Sequence, residues 1–219
     1  MFFLGHMSWA YVFAVAFAGR RRGKLFIPAI LMLGVLPDVD LFLEGFGVGH
    51  HTFFHSVFFW VALFVPALVI FRWKVVPYLA AVLQHFAFGD FLLGEVMLFW
   101  PVDLSHFGFN NSMFSVFDVI LEAAGILLAV GIMYFNGDLK RLVSVNLDNL
   151  FMVFPLLALV SSMLFFAVDW PIFPLIAYIW SSPILTTIVI AHLILTIFLA
   201  ISTLQGLRKL EFGNLNDKL

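Results

Sequence analysis

The chain has 219 residues, of which 63% are hydrophobic and 11% charged, and a formal net charge of −2. Soluble domains carry about 25% charged residues, so this composition speaks against a water-soluble globule, and the near-neutral balance offers no footprint for nucleic acid. The lack of cysteine removes disulfides, thiolate metal sites and cysteine nucleophiles.

A mean hydropathy of +1.10 and recurring apolar runs of near membrane length predict an all-α fold. The expected architecture is a polytopic membrane helical bundle of about seven transmembrane helices. In chain order the spans are 2–19, 25–36, 54–71, 76–99, 113–135, 149–168 and 183–205. The first carries Gly5-His6 in its opening turns and reads as no cleavable signal, because Arg20, Arg21, Arg22 and Lys24 follow the apolar stretch. The second is short, about 18 Å at helical rise, and stops at Pro37-Asp38-Val39-Asp40. The loop beyond holds Glu44, His50 and His51, and His55 opens the third span. His85, Asp90 and Glu95 run up the fourth towards a loop with Asp103 and His106. Asp118 and Glu122 lie early in the fifth span, and His192 is in the middle of the seventh. The piece Trp170–Ser182, with Pro171 and Pro174 inside and Pro183 after it, reads as interfacial or re-entrant. There is no internal repeat. The chain reads as one transmembrane domain, 1–219, with a metal-site core over 1–111 and a helical extension over 112–219.

Basic residues set the expected orientation. Arg20, Arg21, Arg22 and Lys24 follow the first span, Arg72 and Lys74 the third, Lys140 and Arg141 the fifth, and Arg208, Lys209 and Lys218 the seventh. On this frame all eleven fall on one side, which the positive-inside rule makes cytoplasmic. The N-terminus is then outside and the C-terminus inside. The acids and histidines of the intervening loops collect at the outer end, where no Lys or Arg neutralises them. Carboxylates without cationic partners are costly near lipid, and a bound divalent cation is the most direct remedy.

Imidazole and carboxylate are the donor set of zinc, manganese and iron, and Asp38, Asp40, His50, His51 and His55 fall within eighteen residues. His51 and His55, spaced i and i+4, would share one helix face; the bland alternative is histidines among lipid headgroups. Asp38 and Asp40 could simply stop the second span, although punctuation does not explain the second of them. His85 and Asp90 lie about 140° apart on a regular helix, and would share a metal only if the helix bulges near Gly89. His6 is equally explained by a headgroup contact. Asp118 and Glu122, on one face, are either protonated and hydrogen-bonded or partners that orient ligating histidines. His192 reads as structural.

These residues resemble the pattern of the YdjM-like family of membrane-bound metal-dependent hydrolases. That pattern has an early Gly-His, a Pro-Asp-x-Asp string, a His-Arg-Gly-x-Thr-His-Ser string, and a His-x-x-x-Asp followed by Trp-Pro. Gly5-His6, Pro37-Asp38-Val39-Asp40, His50 with His55-Ser56, and His85 with Trp100-Pro101 match it in order over residues 5–101. His51, Thr52 and Phe54 stand where the family has Arg, Gly and Thr, and Asp90 comes one residue late. The family is distantly similar to zinc-dependent phospholipase C and related nucleases. The resemblance therefore implies a multi-metal phosphoesterase site in a prokaryotic cytoplasmic membrane.

The expected metal ligands are His6, Asp38, Asp40, His50, His55, His85 and Asp90. Asp40, His51 and His106 are the candidates for proton transfer. The expected cofactor is one to three divalent transition ions, zinc first and manganese or iron as alternatives. The expected activity is metal-activated hydrolysis of a phosphoester or ester of a membrane lipid or lipid-linked substrate at the extracytoplasmic face. The alternatives are a seven-span zinc amidase similar to ceramidases, which suits the missing Lys and Arg, and a non-enzymatic divalent-cation transporter or metal-binding scaffold.

Overall fold

A computed structural model describes residues 1–19, 25–43, 46–47, 49–111, 115–168 and 183–216. The expectations placed on Arg20, Arg21, Arg22, Lys24, Glu44, Lys218 and the 170–182 piece lie outside the described residues. The described chain is all-helical, without a strand; an isolated antiparallel bridge joins Val96 and Phe107. Four helical stretches among the described residues are long and apolar enough to cross a membrane: Val57–Lys74, Val76–Leu93, Val116–Asn136 and Thr186–Glu211. Two shorter apolar helices cover Phe3–Ala18 and Leu147–Ser162. The chain divides into two compact units, Met1–Ala129 and Val130–Leu219.

In the first unit, α1 (Phe3–Ala18) packs against α2 (Ile27–Val35) and α4 (Val76–Gln84). Ala10, Ala14 and Ala18 are buried at successive i+4 steps of α1, and such small side chains let apolar helices approach closely by van der Waals packing. Gly34 on α2 completes the contact: a Cβ there would lie 2.6 Å from the Ala10 Cβ and 2.8 Å from the His6 carbonyl oxygen. Pro28 and Pro77 stand in the first turns of α2 and α4, where a missing N–H costs nothing. α3 (Val57–Phe71) buries only Trp60 and exposes Leu63, Val65, Val69 and Ile70. An apolar helix with almost no buried face suits lipid and not water.

The chain between these helices is tied down where the histidines sit. α2 runs directly into a 3₁₀ helix, Leu36–Phe42, and a second 3₁₀ turn, Phe53–His55, precedes α3. Ser56 Oγ donates to the Trp100 carbonyl at 2.6 Å, Val57 N to Leu98 O at 2.9 Å, and Trp60 Nε1 to Phe54 O at 2.6 Å. Trp60, Val82, Phe86, Val96 and Leu98 form an apolar cluster beneath these bonds. After Gln84 the helix changes winding: His85–Asp90 is π-helical, and one α-helical turn, Phe91–Leu93, follows. α5 (Val116–Asn136) begins in the first unit and crosses the division.

In the second unit, α6 (Asp138–Leu142) and a 3₁₀ helix (Leu147–Met152) lead into α7 (Val153–Val168), and α8 covers Pro183–Asn216. Asn149 Nδ2 donates to the carbonyls of Arg141, Leu142 and Ser144 at 2.8–3.0 Å, closing the α6 turn. α8 packs on this 3₁₀ helix and on α7.

Candidate metal centre

Four separate pieces of the first unit deliver imidazoles and carboxylates to one place. The 3₁₀ helix Leu36–Phe42 presents Asp38 and Asp40, and residues two apart on such a helix point about 120° from each other. The two aspartates therefore reach His55 from different sides: Asp38 Oδ1 lies 3.6 Å from His55 Nε2, and Asp40 Oδ2 lies 3.0 Å from His55 Nδ1. The π segment supplies His85 and Asp90. His85 Nε2 stands 3.2 Å from Asp38 Oδ1 and 3.3 Å from Asp90 Oδ2, which is itself 3.3 Å from His55 Nε2.

His55, Asp38, His85 and Asp90 thus alternate around a ring of four donors, with each neighbouring pair 3.2–3.6 Å apart. Two donors bound at 2.0–2.1 Å to one tetrahedral zinc ion are about 3.3 Å apart; His55, His85 and Asp90 all lie within 4.8 Å of one another, while Asp38 groups with His85 and His6. His85 Nδ1 donates to the Gly34 carbonyl at 2.7 Å, and Nε2 faces the ring at 3.2 Å from Asp38 Oδ1, the nitrogen that a bound ion would take.

Burial makes the ring costly without a cation. His55, His85 and Asp40 are fully buried, and Asp38 and Asp90 retain 7% exposure. His55 Nε2 and Asp90 Oδ2 are buried without a hydrogen-bond partner, and an unpaired buried polar group costs about 1–3 kcal/mol. Stretches 25–71 and 75–139 contain no Lys or Arg to meet the carboxylates. A divalent ion between these atoms would satisfy both orphans and offset the charge, so the residues present fit a nitrogen- and oxygen-ligated metal such as zinc, manganese or iron.

The other predicted residues distribute around this ring. His6 stacks on His85, with ring centroids 3.8 Å apart and planes at 20°, and its Nε2 is 3.5 Å from Asp90 Oδ1. His50 Nδ1 donates to Asp40 Oδ1 at 2.7 Å, and its side chain is 26% exposed. Counting one donor atom per residue, four groups fall within 4.8 Å: His50, His51 and His55; Asp38, Asp40, His50 and His55; His6, Asp38 and His85; and His55, His85 and Asp90. His106 is exposed in the loop after Trp100-Pro101 and belongs to none of these groups. Asp103 caps its own turn, accepting from Ser105 N at 2.8 Å, and the Ser105 side chain first and this backbone bond second hold its carboxyl below the usual value.

His51 and His55 do converge, with ring centroids 5.0 Å apart, but no shared helix face brings them there. His51 is a turn residue at φ 61°, a left-handed conformation uncommon for side chains other than glycine. His55 closes the following 3₁₀ turn. Burial, together with neighbouring His50 and His55, outweighs the pull of Asp90 and Asp38 and pushes the His51 imidazole down to about 4. Burial works to raise Asp38, but the charge of His85 and contacts with His55 and His85 prevail and hold it well below the usual carboxylate range. Asp40 is likewise raised by burial and lowered by more through its contacts with His50 and His55.

Sequence reasoning singled out Gly89 and Glu122 but not their contacts, and it missed Gly34. Gly89 lies directly under His6: a Cβ there would be 2.7 Å from His6 Cε1 and 3.0 Å from Nδ1. Gly34 contributes a carbonyl, which no side-chain pattern announces. Glu122 accepts hydrogen bonds from Gly5 N at 2.8 Å and Phe2 N at 3.1 Å, closing the start of α1. His192, in the second unit, donates from Nδ1 to Ile188 O at 2.8 Å within its own helix.

Fold and site define an all-helical protein with membrane-length apolar helices and a buried His/Asp cluster able to hold a metal ion. No family model, no curated protein and no solved structure matches the chain.

Proposed function

We propose that this protein is an integral membrane metal-dependent hydrolase acting on an ester bond of a lipid or lipid-linked substrate. The observation that carries the proposal is the ring of alternating His and Asp donors at 3.2–3.6 Å, buried and drawn from stretches 25–71 and 75–139, which hold no Lys or Arg. Seven apolar segments cross the membrane with the N-terminus outside and the C-terminus inside, so that the ring faces the extracytoplasmic side. The sorting of all eleven basic residues to the opposite side supports that orientation.

Within this reading His55, His85, Asp38 and Asp90 hold the ion, and His6 backs Asp90. Such an ion, when bound, supplies Lewis acidity that brings the pKa of a water towards 7. His50, partly exposed and hydrogen-bonded to Asp40, is placed to pass protons between the cluster and solvent. The resemblance to the YdjM-like hydrolases favours a phosphoester as the bond cleaved. The absence of Lys and Arg from 25–71 and 75–139 favours the rival of ceramidase type, an uncharged amide or carboxylic ester. Four protein donors around one ion would also suit a closed, non-catalytic site, which is the form the scaffold or transporter alternative takes.

The test is elemental analysis of the purified protein joined to a lipid-hydrolysis screen. Release of phosphate or a phosphorylated headgroup supports the first substrate class, and release of free fatty acid the second. A preparation without stoichiometric transition metal ends the reading, and metal without any hydrolysis leaves only a metal-binding role.

A further inference from the structure

The geometry points to Asp40 as a positioning residue and not a metal ligand: its two oxygens face His50 Nδ1 and His55 Nδ1, so that His55 turns its Nε2 towards Asp38 and Asp90. The inference rests on the metal reading above.

Each Asp40 oxygen faces one imidazole. Oδ1 accepts from His50 Nδ1 at 2.7 Å, and Oδ2 lies 3.0 Å from His55 Nδ1. Oδ2 and His55 Nδ1 are both buried without a completed hydrogen bond, so their close approach offers each the partner it otherwise lacks. Asp40 is fully buried, and its short stem from the 3₁₀ helix places it on the far side of His55 from Asp38 and Asp90. His55 presents opposite ring nitrogens to the two sides: Nδ1 to Asp40, and Nε2 to Asp38 and Asp90 at 3.6 and 3.3 Å. His85 is arranged in the same way, with Nδ1 held by the Gly34 carbonyl and Nε2 facing the ring. An acceptor on one imidazole nitrogen fixes the tautomer and raises the basicity of the other, and removing it weakens metal binding roughly 10- to 100-fold. Asp38 and Asp40 share one short helix but have separate tasks: Asp38 donates to the ion, and Asp40 aims its neighbours.

The decisive measurement uses the wild-type protein loaded with ¹¹³Cd²⁺ and labelled with ¹⁵N-histidine. Cadmium–nitrogen coupling is expected on Nε2 of His55 and His85, with Nδ1 of His55 still protonated. Coupling on His55 Nδ1 overturns the inference. Variants give a second arm, read by Co²⁺ titration and absorption spectrum. Asp40→Asn should bind Co²⁺ roughly 10- to 100-fold more weakly with an unchanged spectrum, whereas Asp38→Ala should change the spectrum or lose the ion. A spectrum altered in Asp40→Asn as much as in Asp38→Ala makes Asp40 a ligand. A lower melting temperature with unchanged Co²⁺ affinity makes it merely structural. Either result rejects the assignment while leaving the metal reading standing; failure of the wild type to bind Cd²⁺ or Co²⁺ rejects both.

Discussion

His85 Nε2 and Asp90 Oδ2 stand 3.3 Å apart although five residues separate them on one helix. Regular α-helical winding would leave them about 140° apart, whereas residues four apart differ by only about 40°. The i→i+5 winding of His85–Asp90 absorbs the extra residue. Ala87 is the exposed position within it. Deleting Ala87 should therefore return the segment to an α-helix and keep both donors on one side, with metal stoichiometry retained. Inserting an alanine after Ala87 should abolish binding. Metal content of the two purified proteins decides the matter, and equal loss in both would show that the π winding itself is required.

The Gly89–His6 contact makes a second, independent prediction. With its Cβ 2.7 Å from His6 Cε1, Gly89→Ala forces the stacked imidazole off His85. Overpacking of this kind costs about 1–3 kcal/mol. Because the clash is with one ring, His6→Ala in the Gly89→Ala background should recover most of the lost thermal stability. Additive losses in the double variant would mean that the strain lies in the backbone and not at His6.

How far the sequence revealed the site depended on which force set each residue. Asp38, Asp40, His50 and His55 stood out because polar side chains are rare in an apolar chain, and the structure brings all four together. The bulge that Gly89 was expected to permit is there, yet the glycine's own task is to make room for His6. The helix expected to align His51 with His55 is not there, because periodicity says nothing about a turn residue held at φ 61°. Gly34 was illegible for another reason: it acts through a backbone carbonyl, and its value comes from an α1–α2 approach that only tertiary packing defines. Apolar periodicity located the helices but carried no information on the 3₁₀ winding that separates the directions of Asp38 and Asp40.

The His51 imidazole gives the metal-free protein a defined acid response. Its folded value of about 4 lies below its ordinary 6.5, so between those values the unfolded chain binds the proton and the folded one does not. The His51 contribution is then complete above 6.5 and is lost progressively as pH falls towards 4. Asp38 and Asp40, both held below 3.8, act in a different window: their contribution is present above 3.8 and disappears only as pH falls further. Melting temperature measured from pH 7 to 4 should therefore decline in the wild type and decline less steeply in His51→Gln. An unchanged slope after the substitution assigns the response to another group.

Glu122 ties the start of α1 to α5, and this tie should matter beyond its own two hydrogen bonds. Phe2, at the cap position of α1, offers no side-chain acceptor, so the first amides depend on a carboxylate from another helix. Glu122→Ala leaves the Phe2 and Gly5 amides without their acceptor, a loss of about 1–3 kcal/mol for buried groups. Glu122→Gln keeps one carbonyl for Gly5 but turns an NH₂ towards the Phe2 donor, so it should fall between the wild type and alanine. His6 follows Gly5 directly and rests against His85. Fraying of this turn should therefore appear as faster amide exchange at residues 5–7 and as weaker metal binding in the same variant. If exchange accelerates while metal affinity stays at the wild-type value, His6 is not needed to hold the ion.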